Sequence, residues 1–232
     1  VTTAVITGAS RGIGAALARR LANEGFGLVL AARNESELRA VADECLALGA
    51  ATATPVRCDV GIPGHCARLV DYVAEGDRCV LVNNAGIGLL KLLHELSPDE
   101  VSRMMTVNLT GLIHCTQALL PRLRPGGHVV NILSISALRA IPTSVVYGAT
   151  KAGALHFANC LREGYASEGL QVTNIHPGPV DTDIWDQIGF RPERMMSVEA
   201  VAETIARTIV APAGTAAWEL TLMPLGWGLA KE

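Results

Sequence analysis

The feature that most constrains this sequence is a repeated exchange between two hydrophobic patterns. Short runs that stay apolar without alternating, such as Gly27-Leu28-Val29-Leu30-Ala31-Ala32, are separated by longer stretches with helical spacing. Ile13, Ala16, Leu17 and Leu21 form one such set, and Leu38, Val41, Cys45 and Leu48 another. A strand with one wet face alternates, whereas a continuously apolar strand must be covered on both faces. Seven segments read as strands: Thr2 to Thr7, Phe26 to Ala32, Ala53 to Cys58, Cys79 to Asn83, His128 to Leu133, Val172 to His176 and Ala216 to Met223. Strand and helix alternating from end to end predict an α/β fold, a parallel sheet with helices on both faces.

Size fits one such unit. The chain has 232 residues, 50% of them hydrophobic, and shows no internal repeat or linker composition, so residues 1–232 are expected to form a single domain. The least patterned stretch is Asp183 to Ser197, where Trp185, Ile188, Phe190, Met195 and Met196 lie among charges and Pro192 interrupts; it reads as a mobile lid or short helices. The balance of 19 Lys+Arg against 22 Asp+Glu lacks the basic stripe that neutralising a phosphate backbone needs, so no nucleic-acid partner is expected. The first ten residues carry no positive charge and no apolar run reaches membrane-spanning length, so neither signal peptide nor membrane span is expected. Six cysteines (45, 58, 66, 79, 115 and 160) without CxxC spacing read as reduced, buried thiols of a cytoplasmic protein. The scattered histidines predict no metal site.

Directly after the first strand stands Thr7-Gly8-Ala9-Ser10-Arg11-Gly12-Ile13-Gly14, with a helical period opening at Ile13. Strand, glycine turn and helix in that order let backbone N–H groups approach a pyrophosphate at a helix start. An NAD site places an acid at the end of strand two to hold the ribose hydroxyls. Here strand two ends Ala31-Ala32-Arg33-Asn34, and Arg33 offers a fork of donors to a 2′-phosphate, with Arg11 able to join it from the loop. That pattern predicts NADP(H). Asp59, after the third strand, reads either as an acceptor for the adenine amino group or as a helix N-cap. Asn83-Asn84-Ala85-Gly86 follows strand four at the same edge of the sheet.

Tyr147 and Lys151 stand four apart at the start of a helical pattern, so their side chains share one face. A neighbouring ammonium favours the phenolate and brings a tyrosine toward useful acid–base range. Strand five closes in Ser134 and Ser136, hydroxyls able to hydrogen-bond a carbonyl oxygen; Ser134 is the chosen one, with Ser136 supporting it or shaping the loop. Asn108 is a polar residue inside an apolar helix, either a kinking amide satisfied by backbone or the holder of a water in a proton path toward Lys151.

TGASRGIG, NNAG, Asn108, Ser134, Tyr147-x-x-x-Lys151 and Pro177-Gly178-Pro179-Val180-x-Thr182 occur in the order and spacing of the classical short-chain dehydrogenase/reductase family, which the chain resembles over essentially its whole length. The resemblance implies a Rossmann-like doubly wound sheet in the order 3-2-1-4-5-6-7 and a catalytic tetrad of Asn108, Ser134, Tyr147 and Lys151. It also implies a dinucleotide held by Gly8, Ser10, Arg11, Gly12, Ile13, Gly14, Arg33, Asn34, Asp59, Val60, Asn83, Ala85 and Gly86. Pro177, Gly178, Val180 and Thr182 would border the nicotinamide, with Tyr147 and Lys151 reaching the cofactor as well. The activity so implied is NADP(H)-linked interconversion of a carbonyl and an alcohol by a cytoplasmic enzyme.

Large uncharged residues expected to line the pocket (Leu138, Ile141, Val145, Trp185, Ile188, Met195 and Met196) suit a moderately apolar ketone or aldehyde. The rival substrate is a 3-oxoacyl group on a carrier protein, against which Ser167-Glu168-Gly169 stands where relatives with that role tend to show a basic residue. A non-enzymatic NADP sensor or scaffold is disfavoured by the presence of both Tyr147 and Lys151. The small residues Gly148, Ala152, Gly153 and Ala158 suggest close helix approach in a homodimer or homotetramer through helices at about 100–123 and 147–166.

Overall fold

The computed structural model describes residues 1–124, 126–212 and 214–227, so the 1–232 domain expectation also covers Pro125, Ala213 and 228–232, which lie outside the described residues. Strands β1 (Thr2–Thr7), β2 (Gly27–Ala32), β3 (Thr52–Arg57), β4 (Arg78–Asn83), β5 (His128–Ile132), β6 (Gln171–Pro177) and β7 (Glu219–Leu222) form one sheet in the order β3-β2-β1-β4-β5-β6-β7. All neighbours pair in parallel. Parallel pairing forces a crossover between successive strands. The main crossover helices are α1 (Gly12–Ala22), α2 (Glu35–Ala47), α3 (Pro63–Ala67), α4 (Pro98–Met105), α5 (Gly111–Leu123) and α6 (Val145–Gly164); α7 (Ile184–Ile188) and α8 (Val198–Ile209) follow β6.

The continuously apolar strand runs resolve into two alternating sets. Ala4 and Ile6, Leu28 and Leu30, Val80 and Val82, and Val130 and Ile132 face a core closed by α1, α2 and α8. Val5, Val29, Cys79, Leu81, Val129 and Val172 face the opposite core, closed by α3, α5 and α6. Both edge strands are marked as edges: β3 carries Pro55, which donates no ladder hydrogen bond, and β7 is only half-buried. The last strand is shorter than expected. Ala217 and Trp218 meet β6 through single hydrogen bonds, Thr173 Oγ1 to the Ala217 carbonyl and the Asn174 amide to the Trp218 carbonyl, but the regular ladder starts only at Glu219.

Two sequence expectations change. Five of the cysteines are buried, but Cys160 is exposed on the outer face of α6, because its helical position points away from the sheet. Most of the small residues of α6 are used within the chain. A Cβ on Gly148 would lie 2.9 Å from the Ser136 carbonyl, one on Gly153 would lie 3.3 Å from Leu109, and Ala158 belongs to the core. Ala152 alone of the four is exposed.

A row of polar side chains crosses the middle of the sheet. Asn83, Asn131, Asn174 and Glu219 are register partners on β4, β5, β6 and β7. Asn83 Nδ2 donates to Asn131 Oδ1 at 3.0 Å, Asn131 Nδ2 to Asn174 Oδ1 at 3.0 Å, and Asn174 Nδ2 to Glu219 Oε1 at 2.8 Å. Asn83 Nδ2 also reaches Thr116 Oγ1 on α5 at 3.0 Å. Strand spacing lets each amide bridge to the next, so one substitution strands two neighbours. Asn131→Ala should lower unfolding free energy by about 2–5 kcal/mol, since an unsatisfied buried amide costs about 1–3 kcal/mol at each side. Urea denaturation checks this, and a loss below about 1 kcal/mol would show that water replaces the missing partner.

Candidate active site

The strand order reverses between β1 and β4, and in such sheets the crevice at the carboxyl ends of the strands is the place for a ligand. Thr7 and Asn84 tie that crevice together. Thr7 Oγ1 donates to the Val82 carbonyl (3.2 Å) and accepts from the Asn84 and Ala85 amides (3.0 and 3.1 Å). Asn84 Nδ2 in turn donates to the carbonyls of Thr7 (2.9 Å) and Gly8 (3.1 Å). Neither residue stood among the expected site residues. The signal available was the doubled amide after strand four and a hydroxyl just before the glycines.

The glycine loop is built for a close approach. Gly8 and Gly12 have φ of +66° and +55°, and a Cβ on Gly14 would sit 2.4 Å from the Gly8 carbonyl. Whereas α2, α4 and α8 are capped by the side chains of Asn34, Ser97 and Ser197, α1 starts after Arg11 with no side-chain cap and no acid in its first turn. Its leading N–H groups and dipole therefore favour an anion, and the loop fits a dinucleotide pyrophosphate. Ser10 and Ile13, both half-buried, belong to the same turn.

Past the carboxyl ends of β2 and β3 lies a cleft of about 240 Å³ lined by Arg33, Asp59, Gly61, Ile62, Ile87, Ser102, Arg103, Thr106 and Val107. Arg33 is exposed and makes no ion pair among the described residues. Asp59 is not a helix N-cap: α3 is preceded by Ile62, and Asp59 Oδ1 instead accepts from the Gly61 amide at 2.9 Å in a tight turn. Arg103 enters from α4 and was not anticipated, because its cleft exists only once α4 packs beside the end of β3. Val60 is buried against Gly111. Three of the residues expected at the cofactor also make side-chain contacts within the chain. Asn34 caps α2 through the Glu37 amide, Asn83 turns its side chain into the polar row of the sheet, and Arg11 faces Asp183 at 3.7 Å.

The four tetrad positions converge at the carboxyl ends of β4 and β5. Tyr147 and Lys151 project from the first two turns of α6, with Lys151 Nζ 5.7 Å from the Tyr147 ring centre and donating to the Ile132 carbonyl at 2.8 Å. Ser134, 8% exposed, stands just beyond β5; its hydroxyl accepts from the Ser136 amide at 3.1 Å and hydrogen-bonds the Tyr147 phenol. Burial pushes the Tyr147 phenol up, and the Ser134 hydrogen bond pulls it part of the way back. Burial also pushes the Lys151 ammonium down to about 8. The expected tuning of the tyrosine by the lysine is thus outweighed here by desolvation of both groups.

Asn108 sits in a π-helical turn, Thr106–Thr110, that joins α4 to α5. Its Oδ1 accepts from the Ile87 amide (2.9 Å), and its Nδ2 donates to the Ile87 carbonyl (2.8 Å) and to Thr150 Oγ1 (3.2 Å). The side chain is a clamp between the loop after β4 and α6. Glycines keep that loop close. A Cβ on Gly86 would lie 3.6 Å from Lys151 Nζ, and one on Gly88 3.6 Å from the Tyr147 ring and 3.3 Å from Ile184. The segment from Pro177 to Thr182 closes the crevice from the other side, with Thr182 packed 3.4 Å from the Cβ position of Gly12. Trp185 Nε1 donates to the Val180 carbonyl at 2.7 Å, and the Gly178 amide donates to Leu222. Residues 183–197 form α7 and an extended return, pinned by Arg191 to Asp181 and Asp186. Met196 packs against the core and not into the crevice.

An uncapped helix at a glycine cradle, beside a tyrosine, a lysine and a serine at a strand edge, defines an oxidoreductase of the dinucleotide-binding class. A family model described as short chain dehydrogenase matches residues 2–191, and the chain belongs to that family. An uncharacterized oxidoreductase of Staphylococcus epidermidis is 31% identical over 224 residues, covering 96% of each chain. An alcohol dehydrogenase from the archaeon Thermococcus sibiricus, complexed with 5-hydroxy-NADP, superposes with a TM-score of 0.89 at 32% identity, covering 95% of each chain. The closed form of a serine dehydrogenase complexed with NADP+ follows at 0.88 and 26% identity, covering 96% of this chain and 95% of that one. No helix among the described residues is long and apolar enough to cross a membrane.

The buried lysine sets a stability prediction. Lys151 holds a proton less firmly in the folded chain (about 8) than in the unfolded one (10.5), so between those values the unfolded state binds more protons and stability rises with pH. Below pH 8 the buried ammonium costs the full difference, about 3 kcal/mol at about 1.4 kcal/mol per pH unit. Lys151→Met should therefore be more stable than the unmodified protein at pH 7, with the gap closing toward pH 10.5. Chemical denaturation at the two pH values checks both signs.

Proposed function

We propose that the protein is an NADP(H)-dependent enzyme interconverting a moderately apolar ketone or aldehyde and its alcohol. The observation that carries this reading is the Ser134–Tyr147–Lys151 group at the strand edge beside the uncapped start of α1. Arg33, exposed and without an ion pair among the described residues, would meet the 2′-phosphate, and Asp59 would offer its second oxygen to the adenine amino group. The NADP-bound relatives support the same choice. When bound, the reduced nicotinamide supplies the hydride.

Ser134 donates its hydroxyl hydrogen to the substrate carbonyl oxygen and fixes it beside Tyr147. Tyr147 gives its phenolic proton to that oxygen as it becomes an alkoxide, and the Lys151 ammonium stabilises the phenolate left behind. With the cofactor bound, the Lys151 ammonium would also hydrogen-bond the ribose. The side chain of Asn108 is spent on Ile87 and Thr150, so its part in the reaction is to hold the loop after β4 against α6 beside Lys151. Leu138, Ile141 and Val145 are all exposed on the loop leading into α6 and form an apolar approach to Tyr147 together with Ile184. The turn before β6 holds Glu168 paired with Arg124, which counts against docking of an acidic carrier protein. A homodimer or homotetramer through the helices at about 100–123 (α4 and α5) and 147–166 (α6) is part of the same proposal. Ala149, Ala152, His156 and Cys160 form its exposed α6 stripe, and light scattering at micromolar concentration should show more than a monomer.

A panel of carbonyl compounds followed by NADPH absorbance tests the activity, with apolar ketones expected to outperform dicarboxylates and free sugars. Tyr147→Phe should lose nearly all turnover while NADPH affinity stays within about twofold, because the ring still packs and only the proton donor is gone. Arg33→Ala should weaken NADPH binding about tenfold to a hundredfold and leave NADH unchanged, the size expected for one charge-assisted contact. Parallel losses for both cofactors would assign Arg33 to the adenine or to the fold.

A further inference from the structure

Ser134 lies past the point where the sheet can hold it. The Leu133 amide donates to the Ile175 carbonyl at 2.8 Å, the last rung between β5 and β6. The next rung would run from the N–H of residue 177 to the Leu133 carbonyl, but residue 177 is Pro177 and has none, so the ladder ends before Ser134. What reaches the backbone there is a side chain. His176, 1% exposed, brings Nδ1 to 3.4 Å from the Ser134 carbonyl and Nε2 to 2.5 Å from Glu219 Oε2. The ring thus bridges the Ser134 carbonyl and the Glu219 carboxylate, one through each nitrogen. Glu219 is itself oriented by Asn174 Nδ2 from β6 at 2.8 Å and by Arg162 Nη2 from α6 at 3.4 Å.

We infer that His176, held by Glu219, is a positioning residue for Ser134: just past the rung that Pro177 cannot make, its side chain tethers the Ser134 carbonyl. The assignment rests on the reductase reading, in which Ser134 orients the carbonyl. It gives the polar row Asn83–Asn131–Asn174–Glu219 a second purpose, since its charged end fixes the imidazole beneath the site. Without this bond the backbone of Ser134 keeps only the Ala137 amide, which donates to its carbonyl at 3.0 Å from within the following turn and so moves with it.

Two substitutions of the same residue separate positioning from packing. His176→Asn places an amide donor near the Nδ1 position and keeps the bond to Ser134, whereas His176→Gln reaches toward Glu219 and loses it. With the best carbonyl substrate of the panel, His176→Gln should lower kcat about tenfold, the scale expected for a sub-ångström to ångström misplacement of a reacting group, and His176→Asn should recover most of that loss. NADPH affinity should stay within about twofold in both, since neither removes a cofactor contact. A purely structural role for the imidazole predicts the opposite ranking, with glutamine the better replacement. Equal losses, or no loss in either, would overturn the inference.

Glu219→Ala, at a half-exposed strand position, gives a second route: kcat should fall with NADPH affinity unchanged, and an unaltered kcat would overturn the claim. Amide hydrogen exchange reads the same bond without turnover. Exchange across Ser134–Ala137 should quicken in His176→Gln and Glu219→Ala but not in His176→Asn, and identical exchange in all three would again refute it. If the unmodified protein reduces no carbonyl compound, the reductase reading fails while the exchange data decide the positioning claim.

Discussion

Everything at the crevice depends on the junction between β1 and β4. Two strands that are far apart in sequence leave the sheet side by side there, and their carboxyl ends must separate enough to admit a ligand without fraying. Thr7 Oγ1 and Asn84 Nδ2 solve this by taking over as hydrogen-bond partners where the backbone ladder stops. The glycine loop is thereby fixed against the loop after β4. The uncapped end of α1, the cleft beside Arg33 and the Gly86 approach to Lys151 all inherit their geometry from that clamp.

Much of this could be read from residues alone, because the chemistry demanded particular residue types at particular strand ends. The seven strands were visible as apolar runs, and Tyr147, Lys151 and Ser134 as polar groups placed where a buried sheet opens to solvent. Legibility ended where a side chain's partner is distant in sequence. Nothing local shows that Asn83 turns inward while Asn84 turns toward the loop. Nor is it visible that Asn34 caps its own helix, or that the small residues of α6 pack against Ser136 and Leu109 in the same chain. Arg103 and the His176–Glu219 pair were hidden for the same reason: each acquires its meaning from an element that the topology, not the sequence spacing, brings alongside.

The site also works against the fold that holds it. A buried ammonium, a buried phenol and glycines at several approach points each forgo stability that an apolar or Cβ-bearing residue would contribute. The two cores on either side of the sheet supply the compensation, and the polar row across β4 to β7 links its buried amides to one another, leaving only Asn83 Oδ1 at its inner end without a partner among the described residues. Function is thus concentrated at one edge of the sheet, leaving the interior free to be conventional.

The strand order has a consequence for how the chain is made. Residues 1–83 already contain β3-β2-β1-β4 and the glycine cradle, so a nascent chain can assemble this half before β5, β6 and β7 are synthesised. That half is incomplete on one face, because α1 packs against α8, whose residues 198–209 emerge only after more than a hundred further residues have been added. Until then part of the apolar surface of α1 stays uncovered, which makes the interval before α8 docks the time of greatest exposure to aggregation and of greatest use for a chaperone.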